Sequence, residues 1–276
     1  MTPGPGVRVS GGGGGAGGGG GGGGGSPGDA RAPAAALDLG TNTLLLLVAA
    51  PGDGPGAPPR VLADECRIVR IGQGVDATRR LAPAAVARTL GALGGYAETL
   101  RRLGVPRARV AAVATSALRD VADAGEFLGE AAALLGAPFE IISGDEEARL
   151  TWLAVARAFP APGGAAAEGA LRAVLDVGGG STEVVLGCGA RILERQSIDI
   201  GSVRLTERHV HEDPPAAAVP ALRAAAREAF APFATARPAE VVGVAGTVTT
   251  LAAVRDAVTP YQPERVHGQR LSRDRR

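Results

Sequence analysis

The feature that most constrains this chain is a pattern of strand, polar glycine turn and strand that occurs twice. The first turn is Asp38-Leu39-Gly40-Thr41-Asn42-Thr43, and the second is Asp176-Val177-Gly178-Gly179-Gly180-Ser181-Thr182. Apolar stretches of strand length flank each turn. Because acidic, apolar, glycine and hydroxyl residues follow in the same order in both copies, the pattern predicts an internal duplication of two similar domains.

Helical segments alternate with further strands along the rest of the chain. Ala82–Leu103 has a helix-forming composition, and Val110–Ala114 and Phe139–Ile142 are short apolar runs typical of strands. Leu118–Leu135 is expected to be mostly helical, and a further helix is predicted from about Asp145 to Arg157. This alternation favours an α/β fold.

Stretches rich in small residues set the predicted domain boundaries. A glycine tract at 10–28 cannot bury enough apolar surface to offset its backbone entropy, so we expect a disordered tail. After the second turn, Arg191–Gln196 and Ser197–Ile200 are predicted as a pair of strands. The predicted organisation is a tail at 1–33, a first domain at 34–159, a linker at 160–170 and a second domain at 171–276.

Charge and hydropathy exclude several classes of partner. The chain has 29 basic and 28 acidic side chains, which creates no strong field for nucleic acid or anionic lipid. Its longest strongly apolar run, Leu44–Ala50, is far shorter than the ~20 residues that span a bilayer. The first residues lack the apolar core of a signal peptide, and the two cysteines suggest no disulfide framework. We therefore expect a cytoplasmic protein without a nucleic-acid or membrane partner.

The two turns have the chemistry of a phosphate-binding site. Glycines let the backbone approach a ligand, amides and hydroxyls donate to phosphate oxygens, and a carboxylate can hold a hydrated cation. A third segment, Gly243–Thr250, places glycine before a hydroxyl-rich helix start that can bind an anion. The alternative for each turn alone is a hairpin whose glycine and Asp or Asn serve only local geometry.

Five segments together resemble the motifs of the Ppx/GppA family, which comprises exopolyphosphatases and guanosine pentaphosphate phosphohydrolases. They are Ala114–Arg119, Ile142–Leu150, Gly178–Glu183, Gly201–Glu207 and Val266–Gly268. The resemblance runs from about Ala36 to Leu271, in order. It implies two duplicated actin-like (ribonuclease H-like) domains that flank a cleft, within the actin-like ATPase superfamily, and a possible homodimer. It also implies hydrolysis of terminal phosphate from polyphosphate or pppGpp.

The resemblance assigns two carboxylates to catalysis. Glu147, in the first turn of the helix after Gly144, would be the base that activates water. Glu183 would position water or metal. The alternative for Glu147 is an acidic residue that only interacts favourably with the helix dipole. The alternative for Glu183 is a solvated strand residue.

Further residues are assigned to phosphate and metal. Asp38 and Asp176 would be the ligands of Mg²⁺, which prefers hard oxygen donors. Arg119 would contact the phosphate chain with two donors, although an ordinary surface arginine is the alternative. The predicted phosphate-binding residues are Gly40, Thr41, Asn42, Arg119, Gly179, Gly180, Ser181, Gly246 and Thr247.

Two departures from the family pattern affect these expectations. Leu45 stands where many members have Arg or His, from which we expect altered affinity. Members also continue past the Val266–Gly268 segment, which predicts a second domain that is truncated at its C-terminus. Two other functions stay open on the sequence alone: a superfamily kinase for a small molecule, and a catalytically weak protein that binds polyphosphate or an alarmone.

Overall fold

A computed structural model describes residues 7–9, 31–54, 56–122, 124–159, 169–210 and 217–272. The chain forms two compact units, and each has its own sheet. The first unit is Gly13–Ile142, and the second combines Met1–Gly12 with Ser143–Arg276. In the described ranges, no helix is both long enough and apolar enough to cross a membrane.

The strands are numbered in chain order across both units. They are β1 (Val7–Val9), β2 (Ala34–Leu39), β3 (Thr43–Ala50), β4 (Arg60–Ile68), β5 (Val110–Ala114), β6 (Phe139–Ile141), β7 (Arg172–Val177), β8 (Thr182–Cys188), β9 (Arg191–Ile198), β10 (Glu240–Val244) and β11 (Arg270–Leu271).

The helices are numbered in the same way. They are α1 (Val75–Thr78), α2 (Pro83–Arg102), α3 (Ser116–Asp120), α4 (Gly125–Leu135), α5 (Gly144–Ala158), α6 (Ser202–His209), α7 (Ala218–Ala229), α8 (Ala245–Arg255) and α9 (Pro263–Val266).

The first unit is a five-stranded sheet in the order β4-β3-β2-β5-β6. Strand β2 pairs antiparallel with β3 and parallel with β5. Alternate residues of β3, including Leu44 and Leu46, are fully buried with Leu93 and Tyr96 of α2. The Tyr96 hydroxyl donates to the Leu44 carbonyl over 3.0 Å, which satisfies its one buried polar group.

The second unit repeats this order as β9-β8-β7-β10-β1, with β11 added beyond β1. Strand β7 pairs antiparallel with β8 and parallel with β10, as β2 does with β3 and β5. The predicted α/β fold with two duplicated domains is thereby confirmed.

Part of the expected tail belongs to this second sheet. Val7–Val9 pairs parallel with Val241–Gly243 and antiparallel with Arg270–Leu271. It takes the place that Phe139–Ile141 takes beside β5 in the first unit. The prediction of disorder throughout 1–33 is therefore wrong for these three residues, because a short β-branched segment can add to an open sheet edge. The glycine tract lies outside the described residues.

The division between the units falls at Ile142, whereas the sequence placed it in the linker at 160–170. Helix α5 belongs to the second unit because its apolar face packs on that unit's sheet. Ala148, Trp152 and Val155 of α5 are buried against Val174 and Val185, among other residues. The linker residues 160–168 lie outside the described part of the chain.

Two local predictions differ from the structure. Arg191–Ile198 is one strand rather than two, because it pairs with β8 along its whole length. The pairing has one register shift, between Leu186 and Gly187 of β8. The helix expected over Leu118–Leu135 is interrupted, since α3 ends at Asp120 and α4 begins at Gly125. Val121, a β-branched residue, adopts an extended backbone directly after Asp120 and ends α3 there.

Candidate active site

The glycine turn between β7 and β8 directs its carbonyl groups at the start of α6. The N–H groups of Ser202 and Val203 donate to the carbonyls of Gly178 and Gly179, each over 2.9 Å. The Gly180 carbonyl accepts from Nε of buried Arg204 over 2.7 Å. In a trans peptide the N–H group points opposite to the carbonyl. The next three N–H groups, those of residues 179–181, therefore point away from α6 and suit an anion.

Close packing holds this turn against α6. A Cβ atom at Gly201 would lie 2.4 Å from the backbone carbon and oxygen of Gly179. Such a distance is shorter than any van der Waals contact, so only glycine fits at 201. The sequence analysis included Gly201 and Arg204 in a family motif but gave them no role. Their contacts show that they fix the shape of the turn.

Three carboxyl groups of the second unit lie around the turn. Asp176 and Glu183 are cross-strand partners on β7 and β8, two residues before Gly178 and two residues after Ser181. Glu147 of α5 interacts electrostatically with both of these carboxyls. The alternative that Glu183 is a solvated strand residue is wrong, since only 1% of its surface is exposed.

Burial and mutual repulsion disfavour ionisation of these acids. Burial, with a smaller contribution from the charge of Glu147, raises the pKa of Asp176 to about 6. The same two causes, in the same order, raise the pKa of Glu183 to about 8. Hydroxyl donors oppose this effect: Thr151 donates to Asp176 Oδ2 over 3.0 Å, and Ser197 donates to Glu183 Oε1 over 2.7 Å.

The other two acidic residues at the start of α5 are held by arginines. Arg195 of β9 contacts both carboxylate oxygens of Asp145, and this hydrogen bonding lowers the pKa of that acid. Arg149 binds both oxygens of Glu146 over 2.7 Å, which also lowers the pKa of Glu146. Among the three acids of this helix start, Glu147 is the one that interacts with the buried carboxyls of the sheet.

The turn of the first unit is built in the same way. The Gly40 N–H donates to the Thr43 carbonyl over 2.9 Å, as the Gly178 N–H does to Ser181 over 3.1 Å. The Asn42 carbonyl accepts from the backbone N–H groups of residues 69 and 70, and the Thr41 carbonyl accepts from that of Gly72. The N–H groups of residues 42 and 43 therefore point away from that segment.

A second repeat supports this equivalence. Ile71-Gly72 closes on the first turn as Ile200-Gly201 closes on the second, and a Cβ atom at Gly72 would lie 2.3 Å from Thr41 Cγ2. This Ile-Gly pair was missed in the sequence. The signal that could have found it is its recurrence after the third strand of each unit.

The aspartate of the first turn has an apolar residue, rather than a second carboxyl, as its antiparallel cross-strand partner. Asp38 lies opposite Leu45 across β2 and β3, where the second unit has Asp176 opposite Glu183. Arg119 also lies in the first unit, where its Nη1 donates to the Ile142 carbonyl over 2.9 Å. Its predicted contact with phosphate stays a prediction.

The start of α8 adjoins the aspartate of the second unit. Val244, the last residue of β10, is the parallel partner of Asp176. Ala245 then adopts φ +67°, and Gly246 and Thr247 follow in the first turn of the helix. The structure thus places Gly246 and Thr247 in the same unit as Gly179–Ser181. Their binding of phosphate stays a prediction.

The donor set suits a hard cation but does not form a complete cage. Across the described residues, no group of three or more His, Cys, Asp and Glu side chains is arranged to hold a metal ion. Mg²⁺ is commonly held by one or two carboxylates, with substrate phosphates and water as its other ligands. Asp176 in the second unit and Asp38 in the first unit each lie on the strand that leads into a phosphate-type turn, so each is suited on its own to be such a carboxylate ligand.

Comparisons with known proteins agree with this arrangement. The sequence profile described as the Ppx/GppA phosphatase family matches residues 47–275. Exopolyphosphatase 2 of Mycobacterium tuberculosis, from strain CDC 1551 / Oshkosh, is 44% identical over an alignment of 217 residues that covers 75% of this chain and 65% of that protein. The chain thus spans 65% of the length of this curated relative.

Solved structures show the same fold. The Aquifex aeolicus PPX-GPPA enzyme superposes with a TM-score of 0.68 at 33% identity, covering 86% of this chain and 76% of that one. An exopolyphosphatase from Cytophaga hutchinsonii superposes with a TM-score of 0.72 at 28% identity, covering 84% and 73%. Since the family profile covers most of the chain, the expected resemblance is confirmed, and this protein belongs to the Ppx/GppA phosphatase family.

Proposed function

We propose that this protein releases terminal phosphate from inorganic polyphosphate by attack of water. The observation that carries the proposal is the group of three carboxyls, Glu147, Asp176 and Glu183, around a glycine turn whose N–H groups point away from α6. The names of the relatives support the same chemistry. The related substrate pppGpp ends in the same type of phosphoanhydride bond, so it is a second candidate substrate.

Hydrolysis of a phosphoanhydride needs a held phosphoryl group and a positioned water. The N–H groups of Gly179, Gly180 and Ser181 would bind the oxygens of the terminal phosphate. Glu147 would accept the proton of the attacking water, and Glu183 would help to place that water. Glu147 interacts directly with the buried carboxyls of the sheet, whereas Asp145 and Glu146 bind Arg195 and Arg149.

We also propose that Mg²⁺ is required. In the second unit, the Asp176 carboxylate would bind Mg²⁺. In the first unit, the Asp38 carboxylate would bind Mg²⁺ beside its own turn. When bound, Mg²⁺ would neutralise charge on the phosphate oxygens. Gly40, Thr41, Asn42, Arg119, Gly246 and Thr247 stay proposed phosphate contacts.

The test compares Glu147→Gln with Glu146→Gln, two neighbouring acids of which only the first faces the buried carboxyls. Phosphate release is measured from polyphosphate and from pppGpp, with Mg²⁺ or with a chelator, and both without and with an acceptor molecule. We expect Glu147→Gln to lose ~10² to 10⁴ in rate while the phosphate chain still binds, because a positioned base contributes that much. Glu146→Gln should stay within a few-fold of the wild type.

Three outcomes would contradict this function. Equal loss in both variants would remove the special role of Glu147. Transfer of the phosphoryl group to the acceptor in place of phosphate release would indicate a kinase. Binding of polyphosphate by the wild type without any release would indicate a non-catalytic binding protein.

A further inference from the structure

We propose that Ser197 is a positioning residue that holds the Glu183 carboxyl in its working orientation. This inference rests on the proposed hydrolysis and deepens it. Ser197 lies on the edge strand β9, directly opposite Glu183. Its hydroxyl donates to Glu183 Oε1 over 2.7 Å.

A single cross-strand row carries the relevant groups. Asp176 of β7, Glu183 of β8 and Ser197 of β9 are consecutive partners in the ladder. Directly opposite residues on neighbouring strands have their Cβ atoms about 4.5–5.5 Å apart on one face of the sheet. Glu183 therefore has another carboxyl on one side and a hydroxyl donor on the other.

This asymmetry determines which way the carboxyl turns. Glutamate has three side-chain torsions, so a buried carboxyl between two acids needs a partner to fix its rotamer. The bond to Ser197 draws Oε1 towards β9. The side chain of Ser181 also hydrogen-bonds to the Glu183 carboxyl, so the two serines together hold this carboxyl beside Asp176 and Glu147, where the proposal places the water.

The strand that carries Ser197 is itself tied to the catalytic helix. Arg195 lies two residues earlier on β9, and alternate residues of a strand share a face. Its guanidinium binds Asp145, two residues before Glu147 in α5. The same face of β9 therefore contacts both Glu183 and the helix start that carries Glu147. These contacts fix the position of Ser197 with respect to both acids.

The experiment compares Ser197→Ala, which removes the hydroxyl, with Ser197→Thr, which keeps one. For Ser197→Ala we expect kcat for phosphate release to fall by about 10- to 100-fold, because small misplacements of reacting groups have effects of this size. The KM should stay within twofold of the wild type. Ser197→Thr should recover most of kcat. The matched control is Thr99→Val, which removes a buried hydroxyl that donates to the Glu65 carboxylate in the first unit. It should keep kcat.

A double-mutant cycle with Glu183→Ala separates positioning from general destabilisation. If Ser197 acts through Glu183, the loss caused by Ser197→Ala should shrink to within twofold in the Glu183→Ala background, which has no side-chain acceptor for the hydroxyl. Unchanged kcat in Ser197→Ala, loss of kcat equal to that of Thr99→Val, or full additivity in the cycle would each overturn the inference. In these cases an active wild type would leave the proposed hydrolysis standing, whereas a wild type that releases no phosphate would overturn both.

Discussion

Asp176 and Glu183 lie opposite each other across β7 and β8, and the pKa of each is raised, to about 6 and to about 8. Two acids as direct cross-strand partners are unfavourable when both are charged. Burial adds a desolvation cost for the charged forms. The second unit therefore retains an arrangement that works against its own stability, which is typical of a functional site.

The first prediction concerns the pH dependence of stability in metal-free protein. An unfolded glutamate has a pKa of about 4.3, so the native state binds the Glu183 proton more tightly than the unfolded state does. The stability that this provides is complete below about pH 4.3 and is lost as the pH rises through about 8. Glu183→Gln does not titrate. We therefore expect its Tm to rise relative to the wild type by several degrees between pH 5 and pH 8.

Thermal melts at pH 5, 6, 7 and 8 in a chelating buffer check this. Glu146→Gln is the control, because Glu146 is only partly buried and the Arg149 hydrogen bond lowers its pKa. It should show no such gain at high pH. Parallel Tm curves for Glu183→Gln and the wild type would contradict the assigned burial of this acid.

The second prediction concerns Gly201, which touches the phosphate-type turn. A methyl group at 201 would lie 2.4 Å from the backbone of Gly179, so the turn or α6 must move. We expect Gly201→Ala to lower Tm and to weaken binding of polyphosphate. The control is Gly95→Ala, within α2, where an added Cβ atom meets nothing within 4 Å. It should stabilise by ~0.5–1 kcal/mol, because alanine is the better helix former.

Calorimetry measures the Tm of both variants, and a binding titration measures their affinity for polyphosphate. Binding by Gly201→Ala at the wild-type affinity would show that the shape of the turn does not matter for the phosphate chain.

The sequence predicted what depends on local pattern. Both glycine turns, helices α2 and α5, and the α/β duplication followed from residue order and periodicity. The hydroxyl groups that donate to the buried carboxyls could not be predicted in this way. Thr151 and Ser197 meet their carboxyls only through helix packing and strand register, neither of which a single sequence specifies. The strand Val7–Val9 was missed because its partners lie more than 200 residues away in the chain.

The third prediction concerns a buried ion pair between β7 and β10. Arg172 is 7% exposed; its Nε donates to Glu240 over 2.8 Å and its Nη1 donates to the Phe159 carbonyl over 2.7 Å. Glu240→Ala leaves this guanidinium without its carboxylate. We expect a loss of about 3–5 kcal/mol in the free energy of unfolding, the usual cost of breaking a buried pair. Glu98→Ala, which breaks the exposed pair with Arg101, should change stability little. Urea unfolding measures both, and equal losses would show that the Arg172 pair is not desolvated.

The last prediction concerns the strand at residues 7–9. Because β1 has β10 on one side and β11 on the other, the N–H group of Arg8 faces a neighbouring strand whichever way it points. Proline removes that donor and is excluded from the middle of a sheet. We expect Arg8→Pro to lower Tm and to speed amide exchange in Glu240–Val244.

The control for this strand is Arg8→Thr, which removes the same charge but keeps the N–H group and favours extended backbone. Its amide exchange in β10 should match the wild type, while the strands of the first unit should be unaffected in both variants. Strand β10 leads directly into Ala245–Thr247. Loosening β10 should therefore also weaken phosphate binding if that helix start contributes to the site. Identical exchange in Arg8→Pro and Arg8→Thr would show that residues 7–9 do not brace β10.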